Sequence, residues 1–440
     1  MHNHRCTIIL FGLLFSIAQP AISQSHGISI SSYNIEATIF PHAEVFMLSA
    51  TCGMQKTDTA SQFQILLSSS STLQSIQALA NGDWSDIPFE FVGRDTLLLR
   101  FPITLRSVGP LTMKFRYTFP IGSLGDSLLL LDRGSRWYPL IADQIATMRL
   151  RCEVPGDFIV LSAGDLLETK VVGASSQFVW ETKYPIFKLP LVVFRSNMLK
   201  RDSANVLNKK IVLYHSAANA FVTDSVLSEA GRLLSFFTDA IGNYPYRCLT
   251  LVEVPYFDGI DVSSGLLMVG SSSLRGMQRG DADPLRLTVA QQWMGAGVFA
   301  KFRQPGFWFF TISLPHYLRL MYVRHLAGEV AYESALNEPL KQYEKFADKE
   351  TDVPILDVDF PNSREKGLVL YGKGPLVIDK LQSQMGNDGW KNLLRDLYKE
   401  FLGRILTYDD FRASVSKHDK SGKGEVLLNR LMTQKGIPME

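Results

Sequence analysis

The chain has 440 residues, 46% hydrophobic and 20% charged, which is enough apolar side chain for two or three domain cores and excludes a disordered protein. Its formal net charge of +2, with lysines and arginines scattered along the chain, excludes an electrostatic nucleic-acid surface.

Residues 1–23 read as a secretory signal. Arg5 supplies the positive start, and Thr7 to Ala18 is an apolar run too short to span a bilayer. Ala21 and Ser23 place small residues before a cut at Gln24. An uncleaved anchor is the alternative. No cysteine follows the run closely enough for a lipid anchor, and no later apolar stretch is long and free of charge. The mature protein is expected to be secreted or periplasmic, without membrane insertion. Cys6 leaves with the signal; Cys52, Cys152 and Cys248 remain, an odd number without C-x-x-C spacing, so buried free thiols are the expected state.

Residues 24–200 carry a β pattern. Tyr33, Ile35, Ala37 and Ile39 alternate with polar neighbours, as do Leu111, Met113, Phe115, Tyr117 and Phe119. That period predicts strands with one buried face, separated by turns such as Asn81-Gly82-Asp83 and Pro155-Gly156-Asp157. An antiparallel, sheet-rich domain follows. A boundary near 196–208 opens a second domain, 201–440. After a strand at Lys210–Tyr214, the residues Val226, Ala230, Leu233, Leu234 and Phe237 recur at helical spacing. Thr223 or Asp224 is the expected N-cap and Gly242 the stop. A further helix is predicted over Trp390–Leu402, and Thr407 with Asp410 predicts a capping-box variant. The fold class is multi-domain α+β.

Several motifs in the second domain share one resemblance. Gln291-Gln292-Trp293-Met294-Gly295 resembles the zinc helix of the membrane alanyl aminopeptidase family, H-E-x-x-H-Q-W-F-G, keeping the Q-W-x-G tail. Leu287 and Gln291 stand at the two histidine positions and Thr288 at the general-base glutamate. Upstream, Tyr244-Pro245-Tyr246-Arg247 and Leu249 to Pro255 are similar to the strand that leads to that family's substrate site. The exopeptidase motif G-A-M-E-N-x-G-L follows as Gly259 to Leu266. Val262 replaces the glutamate that holds the substrate amine, and Ser263 replaces the asparagine. The third zinc ligand falls on Phe310, Thr311 or Ile312, according to the anchor used. Tyr371-Gly372-Lys373-Gly374 resembles the family's Y-x-K-G, whose tyrosine stabilises the oxyanion in active members. Lys435-Gly436-Ile437-Pro438 resembles the end of the catalytic domain.

The resemblance covers most of residues 28–440. It implies an N-terminal β-saddle domain and a thermolysin-like, mainly helical second domain. It also implies that the zinc ligands are gone, because leucine, phenylalanine and threonine do not replace histidine and glutamate at zinc. Zinc is expected to be absent, with no other cofactor implied. Tyr371 is the retained catalytic-type residue. Asp261, Ser263, Gln291 and His316 are candidate binding residues of the remnant cleft, with Asp261 the one acid in the exopeptidase segment. The expected function is a catalytically inactive homologue that binds peptides or a protein partner. An active hydrolase with unconventional ligands is the alternative, and a purely structural subunit is a third. The run Phe307-Trp308-Phe309-Phe310 distinguishes core filling, if buried, from a partner surface, if exposed.

Three weaker patterns are set aside. Gly295-x-Gly297-x-x-Ala300 follows a helix rather than a strand. Gly367 to Gly374 lacks the Ser/Thr of a P-loop. Asp419-x-Ser421-x-Lys423-x-Glu425 places lysine at a calcium-ligand position.

Overall fold

The structure is a computed structural model that describes residues 27–80, 82–122, 128–345, 352–359 and 363–436. The signal reading, Asn81 of the first turn, and Ile437-Pro438 lie outside the described residues.

The N-terminal part is built on an eight-stranded sheet. Its two longest neighbours, Ile28–Phe40 and Val45–Lys56, are antiparallel, and Gly109–Pro120 pairs with the second. Tyr33, Ile35, Ala37 and Ile39 are buried, as are Leu111, Met113, Phe115, Tyr117 and Phe119. The inward face therefore follows the period-two pattern. The expectation of a purely antiparallel sheet needs one correction: Ile28–Phe40 pairs in parallel with Thr147–Pro155. Two three-stranded sheets complete this part, one of them containing Phe158–Ser162 and Leu191–Arg195. Cys52, Cys152 and Cys248 are free thiols, the first two buried.

A five-stranded sheet joins the two parts of the chain. Its strands run in the order Lys200–Val206, Lys209–His215, Cys248–Val254, Leu266–Gly270, Ile260–Ser263. Both faces of its three inner strands are covered. Val212, Tyr214, Val252, Val254, Leu266 and Met268 join the core of the N-terminal sheets. Their alternates Ile211, Leu213, Leu249, Leu251, Leu267 and Val269 join the core of the helices. A sheet buried on two faces loses its polar alternation and reads as continuous apolar runs.

The described residues of the second part contain eight helices: α1 Thr223–Ala240, α2 Ser271–Gln278, α3 Asp283–Ala290, α4 Leu314–Glu344, α5 Arg364–Leu368, α6 Gly374–Phe401, α7 Tyr408–His418 and α8 Gly424–Thr433. None is long and apolar enough to cross a membrane. The expected cap of α1 is corrected. Thr223 is the first helical residue, Val222 precedes it without a side-chain cap, and a 3-10 turn over Ala217–Val222 leads directly into the helix. Gly242 does close α1, its N–H donating to Phe237 O at 3.3 Å. The helix expected over Trp390–Leu402 is the second half of the longer α6, which breaks at Gly386 with φ 75°. The capping box of α7 forms as expected, Asp410 N–H donating to Thr407 Oγ1 at 3.2 Å and Thr407 N–H to Asp410 Oδ2 at 2.9 Å. Asp419 spends its carboxylate on the Ser421 N–H (3.0 Å), the Ser421 hydroxyl (2.7 Å) and the Gly424 N–H, so it caps α8.

Leu251 lies on the middle strand of the five-stranded sheet, fully buried against the helices. Leu251→Ala should lower unfolding stability by about 2–5 kcal/mol. The check is denaturant unfolding; a loss under about 1 kcal/mol would contradict the double-sided packing.

Candidate functional site

The site is assembled from four segments, α3 and three others. Pro284 opens this helix, and Leu287 and Gln291 lie one turn apart, the Gln291 N–H donating to Leu287 O at 3.0 Å. Leu287 is only 9% exposed. Thr288 is buried, and its hydroxyl turns back along the helix, 2.9 Å from Pro284 O and 3.1 Å from Leu285 O. Its single proton is committed there, and a neutral hydroxyl is in any case a poor base. Gln291 Nε2 donates to Thr311 O at 3.4 Å. The helix is thus tied to the segment where the third ligand is expected.

That segment is a π-turn over Phe309–Ser313 leading into α4. Phe310 is 4% exposed and packs edge-on against Phe309 and Phe411, each with centroids 5.3 Å away. Trp308 and Phe309 are buried too, and Phe307 is half-buried. The aromatic run is core, not a partner surface. The Thr311 hydroxyl donates to Phe307 O at 2.8 Å, and Ile312 is buried.

The exopeptidase-like segment forms the edge strand Ile260–Ser263 and the turn through Ser264 and Gly265. Gln292 holds the turn. Its Nε2 donates to Ser263 O at 2.9 Å, and its Oε1 accepts the Gly265 N–H at 3.0 Å. Gly265 has φ 80°, and a Cβ there would lie 3.1 Å from Gly164 O, so glycine is required by conformation and by space. The Ser263 side chain is buried and donates to Lys188 O at 3.1 Å. Asp261 is ion-paired with Lys188 and also accepts the Val262 N–H at 2.9 Å. Its charge is therefore answered from the N-terminal part of the chain. Val262 is half-buried.

The fourth segment is a second π-turn, Val369–Lys373, which carries Tyr371. Ser313 Oγ donates to Leu370 O at 2.8 Å, locking the two π-turns together. Burial pushes the Tyr371 phenol up to about 12. The His316 ring stands edge-on to it at 5.4 Å. Burial, and secondarily the Arg319 charge, holds His316 well below the usual histidine range, so the ring is neutral. Lys373 is buried and donates to Gln434 O.

The structure therefore brings Gln291, Thr311 and the α3 helix together and places His316 against Tyr371. Ser263 reaches α3 only through its backbone, via Gln292, and Asp261 belongs to an ion pair. Sequence reasoning missed Gln292 as the clasp, Lys188 as the partner of Asp261, and Arg319 beside His316. Arg319 follows His316 by three residues on a helix, a spacing that signals contact. The other two contacts join residues 27 to 29 and 73 positions apart, beyond any local pattern.

These residues do not fit zinc. Leu287 and Phe310 offer hydrocarbon, and the Gln291 amide and Thr311 hydroxyl hydrogen-bond the backbone. The neutral His316 has a guanidinium 3.2 Å from Nε2, which opposes a second cation. Among the described residues no three His, Cys, Asp or Glu side chains converge as a ligand set.

No protein-family model matches the sequence, and comparison with curated proteins finds no match. Solved structures do match. A glutamate-to-alanine mutant of the M1 zinc metallopeptidase of Deinococcus radiodurans is 15% identical, with a TM-score of 0.76 over 94% of this chain and 96% of that one. A structure of the unmutated M1 zinc metallopeptidase from the same organism is 16% identical, with a TM-score of 0.76 over 94% and 96%. A two-domain M1 zinc metallopeptidase mutant bound to L-arginine is 14% identical, with a TM-score of 0.75 over 96% and 97%. The chain has the two-domain fold of M1 zinc metallopeptidases, a large sheet domain followed by a mainly helical one.

Two outcomes follow from the hydrogen-bond geometry. Gln292→Leu leaves Ser263 O and the Gly265 N–H unpaired, and should cost about 1–3 kcal/mol for each. An unchanged denaturation midpoint would show that the turn does not depend on the clasp. The depressed pKa of His316 means that the unfolded chain binds the extra proton. Stability should be full above the ordinary histidine value of 6.5 and fall as pH drops through it, by at most about 1.4 kcal/mol per pH unit. His316→Gln should flatten this slope in unfolding curves taken between pH 7 and pH 5, and an identical slope in the variant would contradict the buried neutral ring.

Proposed function

We propose that this protein is an exported, catalytically inactive relative of the M1 aminopeptidases that binds peptides at the remnant of the peptidase site. One observation carries this reading: the hydrogen bond from Gln291 Nε2 to Thr311 O. It joins the second and third ligand positions directly, across the place where a metal needs both to turn donors inward. The hydrocarbon of Leu287 and Phe310 and the committed hydroxyl of Thr288 support the same reading. A hydrolytic water needs a Lewis acid or a base to activate it, and these positions supply neither.

The binding role is supported by what stays accessible. Asp261, Val262, Gln291, Thr311 and Tyr371 are all half-buried. Tyr371 keeps its proton at physiological pH and can donate to a peptide carbonyl. The leader-like residues 1–23 support export to the periplasm or the medium. The purified mature protein, supplied with excess zinc, should not turn over aminoacyl 4-nitroanilides above the buffer rate. Chelator-sensitive hydrolysis by the pure protein would overturn the reading.

A further inference from the structure

His316 lies in the first turn of α4 and is 8% exposed; Arg319, one turn on, is 5% exposed. Arg319 Nη2 sits 3.2 Å from His316 Nε2. A guanidinium only donates, so Nε2 accepts and the imidazole proton resides on Nδ1. Nδ1 is buried with no acceptor, and so is Nε of Arg319. Two buried N–H donors one turn apart, both without acceptors, are costly and rare in a folded chain. They mark a place where an acceptor arrives from outside it. The Tyr371 hydroxyl, on a half-buried side chain against the His316 ring, is a third donor at this place.

The surrounding charge has a sign. Arg319 and Arg286 both pair with Asp283, and Arg286 and Arg232 both pair with Glu229. That network holds three guanidiniums against two carboxylates, leaving one positive charge in excess. In the edge strand Ile260–Ser263, Asp261 is neutralised by Lys188 and Val262 is hydrocarbon. Among the described residues of that segment no free carboxylate is left to receive an ammonium group.

We propose that the remnant site recognises a peptide carboxylate, which accepts hydrogen bonds from His316 Nδ1–H and the Tyr371 hydroxyl with the Arg319 charge behind them, and has given up recognition of a free amine. This rests on the peptide-binding reading above and specifies its ligand. The carboxylate comes from a C-terminus or from an acidic side chain, two sources with one chemistry.

Titration calorimetry of the full mature protein with three synthetic probes tests it. These are N-acetyl-trialanine with a free carboxylate, trialanine amide with a free amine, and N-acetyl-Ala-Glu-Ala-amide. At least one carboxylate probe should bind tenfold or more tighter than the amine probe, and which of the two binds identifies the source. Tyr371→Phe and His316→Phe, each removing one donor at nearly constant volume, should each weaken that binding about tenfold. Where His316→Phe fails to fold, Tyr371→Phe decides alone. Preference for the amine probe, or carboxylate binding unmoved by the substitutions, overturns this inference and leaves peptide binding standing. Failure of all three probes removes both.

Discussion

The rest of the molecule depends on the three inner strands of the five-stranded sheet having no solvent face. Each of these three strands sends alternate residues to different cores, Val252 and Met268 to the N-terminal sheets, Leu251 and Leu267 to the helices. Such a sheet cannot tilt or slip without exposing apolar surface on one side. Its edge strand Ile260–Ser263 and the following turn are therefore held in register, and their free backbone groups need partners. Gln292, two residues past α3, supplies them at 2.9 and 3.0 Å. The position of α3, and with it Leu287 and Gln291, follows from that clasp.

A zinc centre asks for convergent groups that give lone pairs to the metal. The same backbone here presents a leucine, an amide and a phenylalanine. The Gln291–Thr311 bond, at 3.4 Å, is long, so it closes the gap without contributing much energy. Packing contributes more: Phe310 sits in a fully enclosed aromatic cluster with Phe309 and Phe411. The two π-turns interlock through Ser313, whose Oγ lies 2.1 Å from where a Cβ on Gly374 would stand. Tyr371 is thus positioned by contacts that need no metal.

Much of the fold was legible because it rests on periodicity. Tyr33 to Ile39 and Leu111 to Phe119 alternate, and both stretches are strands with those residues buried. The Thr407–Asp410 box was readable because capping is local. The cap of α1 was not, since a 3-10 turn feeds that helix and no side-chain cap is used. The length of α6 was hidden by Gly386, a non-helical residue at the kink between its two halves. At the site, the replaced positions could be counted along the sequence. What those side chains do instead could not. Gln292 reaches back to Gly265, and Lys188 crosses to Asp261 from the other part of the chain. The pairing of His316 with Arg319 gains its meaning only from burial, which turns an ordinary i,i+3 neighbour into a fixed tautomer with an idle donor.

The central claim is that side chains, not a metal, complete the site. The most direct test is elemental analysis for zinc in the purified mature protein, prepared without chelator beside an active two-domain M1 metallopeptidase. The account predicts far less than one zinc per chain here and about one per chain in the active protein. Stoichiometric zinc in this protein would contradict it, and would mean that ligands other than Leu287, Gln291 and Phe310 or Thr311 hold the metal.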